Sequence, residues 1–549
     1  MRGTIAIALG VLVAGCSENA REKGPPATGG TLVIATTQDP GTLFPPYILT
    51  LSGKQIAEQL YDYLADVGTN FDARDEKSYR AELAKGWHWS SDSMSISFQI
   101  DPRARWHDGR RVTAGDVRFT FDLNKDTTVA SRYLSSLANI DSVSVPDSLT
   151  AVFWFHRRVP TQFLDAAAQQ LILPAHQLER IPRERLRERV PPPIGSGRFR
   201  LRRWDKGTVV EIVADTGNYR GRAILDRVIW SHTPDFNAAF ARLMGGEADL
   251  FDGLRPENVK QMERRRNLRA IGLPGTAYAF LRFNLRDPTD TARMHPLFGD
   301  RNLRRALAMS LDRAAMVRSM FDTLAVVPVG PTVRAFPTTD SRLVQLPFDP
   351  ARAAKLLDSL GWLRASDGVR SKNGRELSFN LLVTASSLNR QRMGVLLQEQ
   401  LRRMGVRVTT ELIDDVAQQA KLAKGDFDAS LDSWNTGASP DGTRDGWTTS
   451  GIGKDGVNYG FYSNPRFDAA LDSALTADAT HAREKFSAAY QIINDDAPAV
   501  WLYEPRSVIG IHRRLKTLGM RPDSWWFSLS DWYIPPAERI LRDRIQTPR

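Results

Sequence analysis

The chain has 549 residues, 42 % of them hydrophobic and 25 % charged, a composition that fits a large globular body of about three domain-sized units. Its formal net charge is +11, but the basic residues are dispersed, with short clusters such as Arg264-Arg265-Arg266 and an Arg/Glu mixture over 183–189. Dispersed charge reads as a solvated face, and with no basic recognition motif beside it nucleic-acid binding is excluded as the function. The one cysteine, at position 16, excludes an internal disulfide, so stability rests on core burial.

In chain order, Arg2 precedes an apolar run from Ile5 to Val13, with Ala14 and Gly15 just before Cys16. This pattern predicts a secretory signal over 1–15 rather than a spanning helix, which needs about 20 apolar residues. The junction resembles a bacterial lipobox, which implies that Cys16 becomes the first residue of the mature chain and carries acyl groups. Residues 16–30 are polar and rich in Pro and Gly, a flexible tether. The expectation is an extracytoplasmic body in the cell envelope, lipid-anchored at Cys16 and on the periplasmic side in a Gram-negative cell.

The continuous apolar run Thr-Leu-Val-Ile-Ala-Thr at 31–36 predicts a strand buried on both faces. Ile56, Leu60 and Leu64, four apart, predict a helix over 55–67. Trp87-His88-Trp89, the turn Ser90-Ser91-Asp92, and the strict alternation of Met94, Ile96, Phe98 and Ile100 with polar residues predict a hairpin. Asp300 caps a helix with Leu303, Leu307, Leu311 and Ala314 on one stripe, and Asp349-Pro350 opens another that Gly361 stops. A further helix runs over 393–404 to Gly405, followed by β-rich Val406-Arg407-Val408, and a strand is expected over 428–432. Helices alternate with strands through both halves, so the fold class is α/β, and no period of 20–50 residues points to a solenoid.

Chemical motifs are sparse. Trp106-His107-Asp108-Gly109 offers a His–Asp pair, but neighbours in a turn rarely aim at one substrate, and no convergent nucleophile and base accompany it. The eight histidines, at 88, 107, 156, 176, 232, 295, 481 and 512, form no i, i+4 pair, so no structural metal site is expected. There is no phosphate-cradling loop or dinucleotide fingerprint; the Gly-rich stretch at 451–454 and Pro440-Asp441-Gly442 read as polar loop and turn. The expectation is a protein without enzymatic activity, cofactor or metal.

Blocks at 81–90 (AELAKGWHWS), 105–109 (RWHDG) and 112–117 (VTAGDV) resemble the signature of the extracellular solute-binding proteins of family 5, the dipeptide, oligopeptide and nickel receptors of ABC importers. Further blocks follow in that family's order: 172–176 (ILPAH), 193–199 (PIGSGRF), 246–250 (GEADL), 304–308 (RRALA) and 497–501 (APAVW). The likeness runs from about residue 30 to the C-terminus.

The resemblance implies a two-lobed periplasmic-binding-protein fold of type II with an additional third domain and a ligand cleft between the lobes. Lobe I is expected over 31–47, 190–272 and 497–540, the additional domain over 48–189, and lobe II over 273–496. It implies capture of a peptide or peptide-like solute by hinge closure and delivery to an ABC permease and ATPase, the receptor acting as a monomer. Oligosaccharide, metal chelate, and a peptide-sensing or chaperone role remain as alternatives within the same fold. In the peptide-binding members a strand ends Trp-x-x-Asp, and that Asp pairs with the peptide's amino group. Here Trp434, Asn435 and Thr436 lead to Gly437, so Asp441 is the candidate substitute. Position in the family pattern adds Gln38, Asp39 and Thr42 after the first strand, Tyr278 at the crossing into lobe II, and Asn458 and Tyr459 in a polar aromatic loop.

Overall fold

The computed structural model describes residues 26–453 and 456–544; the signal segment, Cys16 and Lys454 lie outside the described residues. Of the expected tether, the last residues are docked rather than free. Gly29 N donates to Ile224 O at 2.8 Å, and Arg539 donates to the carbonyls of Ala27 and Thr28.

Strand Thr31–Thr36 is buried along its whole length because it has a parallel partner on each side, Arg227–His232 and Leu250–Asp252. Among the described residues the first sheet runs 268–273, 507–512, 250–252, 31–36, 227–232, 209–214 and 199–205. A second sheet runs 325–326, 499–505, 277–283, 429–435, 378–384 and 407–413. Within it, strand Ser378–Thr384, helix Leu388–Arg403 and parallel strand Arg407–Ile413 form a βαβ unit. The chain thus makes two lobes, each around its own sheet, with a third, four-stranded antiparallel sheet (84–89, 95–100, 150–155, 140–147) beside them.

The two lobes are joined by two crossings: Leu268–Leu273 leads into Ala277–Phe283, and Ala499–Pro505 leads into Ser507–His512. The expected lobe I boundary at 497 is therefore corrected to about Arg506. Ala499–Pro505 pairs antiparallel with Ala277–Phe283 in the second sheet, and only Ser507–His512 joins the first. The crossings touch. A Cβ on Gly275 would fall 1.9 Å from the Pro505 carbonyl oxygen, so only glycine fits.

Three predicted elements end elsewhere. The helix expected over 55–67 is Leu51–Leu60, started by Thr50, whose hydroxyl accepts from Gly53 N. Leu64 is not on it: the Leu60 carbonyl accepts from Gly197 N at 2.9 Å, and Leu64 N donates to Ala167 O. This helix, expected in the additional domain, packs Ile56, Ala57 and Leu60 into the core of the first sheet. The Asp300 helix stops at Met309, because Asp312 caps a new helix, Arg313–Phe321, that carries Ala314. The strand expected over 428–432 is Ala429–Asn435, carrying Trp434 and Asn435 in the ladder opposite Tyr278 and Ala277. The hairpin forms as Ala84–Trp89 against Ser95–Ile100. The Asp349 cap and the left-handed Gly361 and Gly405 sit at the expected helix ends.

The third sheet's unit grips both lobes. Toward lobe I, buried Asp62 takes Arg220 and the Tyr219 hydroxyl, and Arg220 also donates to Glu82 at 2.8 Å. Burial pushes Asp62 up to about 6 in spite of Arg220. His107 adds a clamp: Nε2 donates to Gly197 O at 3.0 Å, and Nδ1 accepts from Gly195 N at 3.1 Å. Toward lobe II, Arg74 donates to the carbonyls of Leu475 and Ala477 at 3.0 and 2.6 Å, and Phe71 stacks on Phe336.

Candidate functional site

Where the two lobes and the third sheet's unit meet lies a cavity of about 960 Å³, within the size range of small-molecule sites. Its floor is the pair of crossings, Gly275–Ala277 and Pro505–Ser507; one wall is Trp525 and Trp526, and the opposite side is Asn435 to Ser439. Thr436 fastens that side to the floor, because its backbone N and its hydroxyl both donate to Thr276 O at 2.9 Å.

The aromatic wall is positioned by half-buried carboxylates. Trp526 Nε1 donates to Glu58 Oε2 at 2.6 Å, and Tyr63 donates its hydroxyl to Oε1 of the same group at 2.9 Å. Trp525 Nε1 donates to Asp252 Oδ2 at 3.1 Å, and Gln55 Nε2 reaches the same oxygen at 2.9 Å. The two indoles stand at 88° to each other with centroids 5.4 Å apart, and both are packed into the core of the first sheet so that only their rims border the cavity.

Arg521 is the cavity's best-fixed cation. It grips Asp523 through Nε and Nη2 at 2.6 and 3.2 Å, donates to Asp66 Oδ1 at 3.0 Å and to Val67 O, and lies over the Phe527 ring. Burial nonetheless pushes Asp66 up to about 6. Lys54 leans on Glu58 at 3.7 Å. Arg132 donates to Ile48 O and lies over the Tyr133 ring, and Arg506 is exposed at the floor. The site therefore offers aromatic rims, fixed carboxylates and two cations that have no carboxylate partner among the described residues. Among the described residues no group of three or more His, Cys, Asp or Glu side chains is placed to hold a metal ion.

Of the residues predicted from sequence, Asn435, Thr436 and Gly437 line this cavity. Gly437 has φ +62° and open space where a Cβ would stand. The others lie elsewhere. Gln38, Asp39 and Thr42 hold backbone at the end of the first strand: Asp39 accepts from Gly41 N and Gly207 N at 2.7 Å, Thr42 from Phe44 N, and Gln38 from Leu51 N. Tyr278 is a core residue whose hydroxyl accepts from Trp447 Nε1 at 3.2 Å. Trp434 packs over Gly442 and Gly446. Buried Asn458 donates to Thr448 O and Tyr462 O, and the Tyr459 hydroxyl accepts from Gln419. Asp441 sits behind the lining at the start of helix Gly442–Trp447, its Oδ1 buried without a partner among the described residues, and burial raises its pKa. The His107–Asp108 pair is split, since Asp108 turns to His176 Nε2 at 2.8 Å.

The family profile described as bacterial extracellular solute-binding proteins, family 5 (middle region), matches residues 78–455. The chain belongs to that family. The oligopeptide-binding protein AppA of Bacillus subtilis is 26 % identical over 549 residues, covering 97 % of this chain and 98 % of that protein. Its structure in complex with a nonapeptide superimposes with a TM-score of 0.70 over 93 % of this chain and 99 % of that one. NikZ of Campylobacter jejuni, in complex with Ni(L-His), gives a TM-score of 0.71 at 22 % identity, covering 91 % and 99 % of the two chains. These family members share the two-lobed solute-binding fold. No helix among the described residues is long and apolar enough to cross a membrane.

The cavity residues that sequence reasoning missed (Lys54, Glu58, Asp66, Arg132, Asp252, Arg506, Arg521) come from segments far apart in the chain. The adjacent pair Trp525-Trp526, beside Pro522-Asp523, was the one local signal that could have pointed there.

Proposed function

We propose that this chain is the solute receptor of an ABC importer. It takes a peptide or peptide-like solute into the cavity, closes its lobes by rotation at the two crossings, and presents the closed form to a membrane permease and its ATPase. The observation that carries this reading is a cavity of about 960 Å³ whose walls come from both lobes and whose floor is the pair of crossings. A solute there touches both walls only when the lobes are together, so binding shifts the open–closed balance toward the closed form. The oligopeptide named for AppA and the nonapeptide in its structure support the peptide class. Lobe I is read as 31–60, 190–272 and 506–540, lobe II as 273–505, and 61–189 as an additional domain braced on both. The receptor acts as a monomer on a lipid anchor at Cys16.

A non-peptide solute, an oligosaccharide or metal chelate, is the second reading. Gly437 favours it by leaving open space where the family pattern implies an amino-binding Asp.

Small-angle scattering with mixed-sequence tetrapeptides tests the receptor: compaction on binding is expected, and heat of binding without compaction refutes hinge closure. Cys16→Ser is expected to move the protein from the membrane fraction to the soluble one; continued sedimentation with membranes refutes the anchor.

A further inference from the structure

The carboxylates lining the cavity are not equivalent. Asp66 and Asp523 are both held by Arg521. Glu58 takes two neutral donors and has Lys54 beside it. Asp252 differs: among the described residues it makes no ion pair. Its Oδ2 accepts from the neutral donors Gln55 and Trp525, and Gln55 is itself fixed by Trp230, whose Nε1 donates to Gln55 Oε1 at 3.0 Å. The carboxyl is thus locked from the wall side through one oxygen, while Oδ1 accepts no hydrogen bond from another described residue. Next to it Gly253, also in the lining, has nothing within 4 Å of the place a Cβ would take. The space in front of Asp252 is open.

We propose that Asp252 is the cation-binding residue of the cavity and that the solute carries a primary ammonium group docked on Oδ1. This rests on the receptor reading and narrows its solute to amines, an amino-terminal peptide foremost. A half-buried carboxylate held by neutral donors alone has no counter-charge, and burial raises its pKa with no neighbouring charge to oppose the shift. A ligand ammonium supplies the missing counter-charge and a charge-assisted hydrogen bond. The other cavity carboxylates already have their partners, and Asp441, the expected substitute anchor, stands behind the lining. Gly437 then needs no replacement nearby, because the anchor has moved to the Trp525 side of the cavity.

The test is calorimetry with Lys- and Arg-free mixed-sequence tetrapeptides, the same pool N-acetylated, and 1,4-diaminobutane, each against the wild type, Asp252→Asn and Asp441→Asn, with scattering in parallel. Asp252→Asn preserves the acceptor for Gln55 and Trp525, and a thermal melt checks its fold. The expected result is that a free amine binds about ten- to a hundredfold more tightly than the acetylated pool, that Asp252→Asn abolishes this preference, and that Asp441→Asn keeps it. If the preference goes to diaminobutane alone, the ammonium site stands and the solute is a non-peptide amine. Equal binding of acetylated and free pools by the wild type, with diaminobutane binding no more tightly than either, overturns the proposal without any variant, as does a preference that survives Asp252→Asn or disappears in Asp441→Asn. Peptide binding with compaction but without amine preference sinks only Asp252; no binding and no compaction with any probe sinks the receptor reading as well.

Discussion

Asp165, on helix Gln162–Ala167, is buried at the seam between the third sheet's unit and the segment that carries Asp441. It has two neutral hydrogen-bond partners, Thr161 and Gln169, and faces the Asp441 carboxylate across the seam; burial, first, and that like charge, second, push it from the ordinary 3.8 to about 7. The folded protein therefore holds a proton on Asp165 that the unfolded chain has already lost. The sign follows: stability is full below the unfolded value near 4, falls as pH rises toward 7, and levels off above it. A displacement of about three units at roughly 1.4 kcal/mol each sets an upper bound of about 4 kcal/mol. Asp165→Asn mimics the protonated form, keeps an acceptor for Thr161, and is expected to stabilise by about 2–4 kcal/mol at pH 8 and by less than about 1 kcal/mol at pH 4. Urea denaturation of both proteins from pH 4 to pH 8 reads this out. A stability difference that does not change with pH, or one that shrinks as pH rises, refutes the reasoning.

Arg521→Met strands Asp66 and Asp523 in a low-dielectric site and is expected to cost about 3–5 kcal/mol in urea denaturation, with the Asp66→Asn, Arg521→Met double variant recovering part of it; a loss under about 1 kcal/mol would mean that water reaches the cluster. Gly275→Ala places a methyl where the Pro505 carbonyl stands. It is expected to spread the crossings and reduce ligand-induced compaction in small-angle scattering, and unchanged compaction would show that the crossings are free to separate.

Where local rules governed, the fold was legible. Thr31–Thr36 reads as a doubly flanked strand because all six residues suit burial, and Asp300 and Asp349 cap their helices because the first-turn amides have no other partner nearby. Where a remote segment decides, periodicity misleads. The spacing of Ile56, Leu60 and Leu64 continues a helix that Gly195 and Gly197 end: a Cβ on Gly195 would stand 1.7 Å from the Leu60 carbonyl, and those glycines lie 135 or more residues away. The same holds for the site. Family position found the 435–437 edge of the cavity, since that stretch continues a strand of the core. It could not find Asp252 or Arg521, whose meaning depends on which charges the fold leaves beside them. Elsewhere family position led to residues that fasten backbone turns outside the cavity lining, Asn458 and Asp39 among them.

Gly275 and Pro505 press together in the lining of the cavity. Under the proposed closure, the fulcrum on which the lobes swing is also the shelf on which the cargo rests. A receptor built this way gauges cargo at its pivot: a molecule bulky enough to push on that shelf props the jaws apart, whatever grip the walls have on it. Selection by size is then exercised through the fraction of receptors able to shut, and oversized molecules would occupy the protein as inhibitors of hand-over.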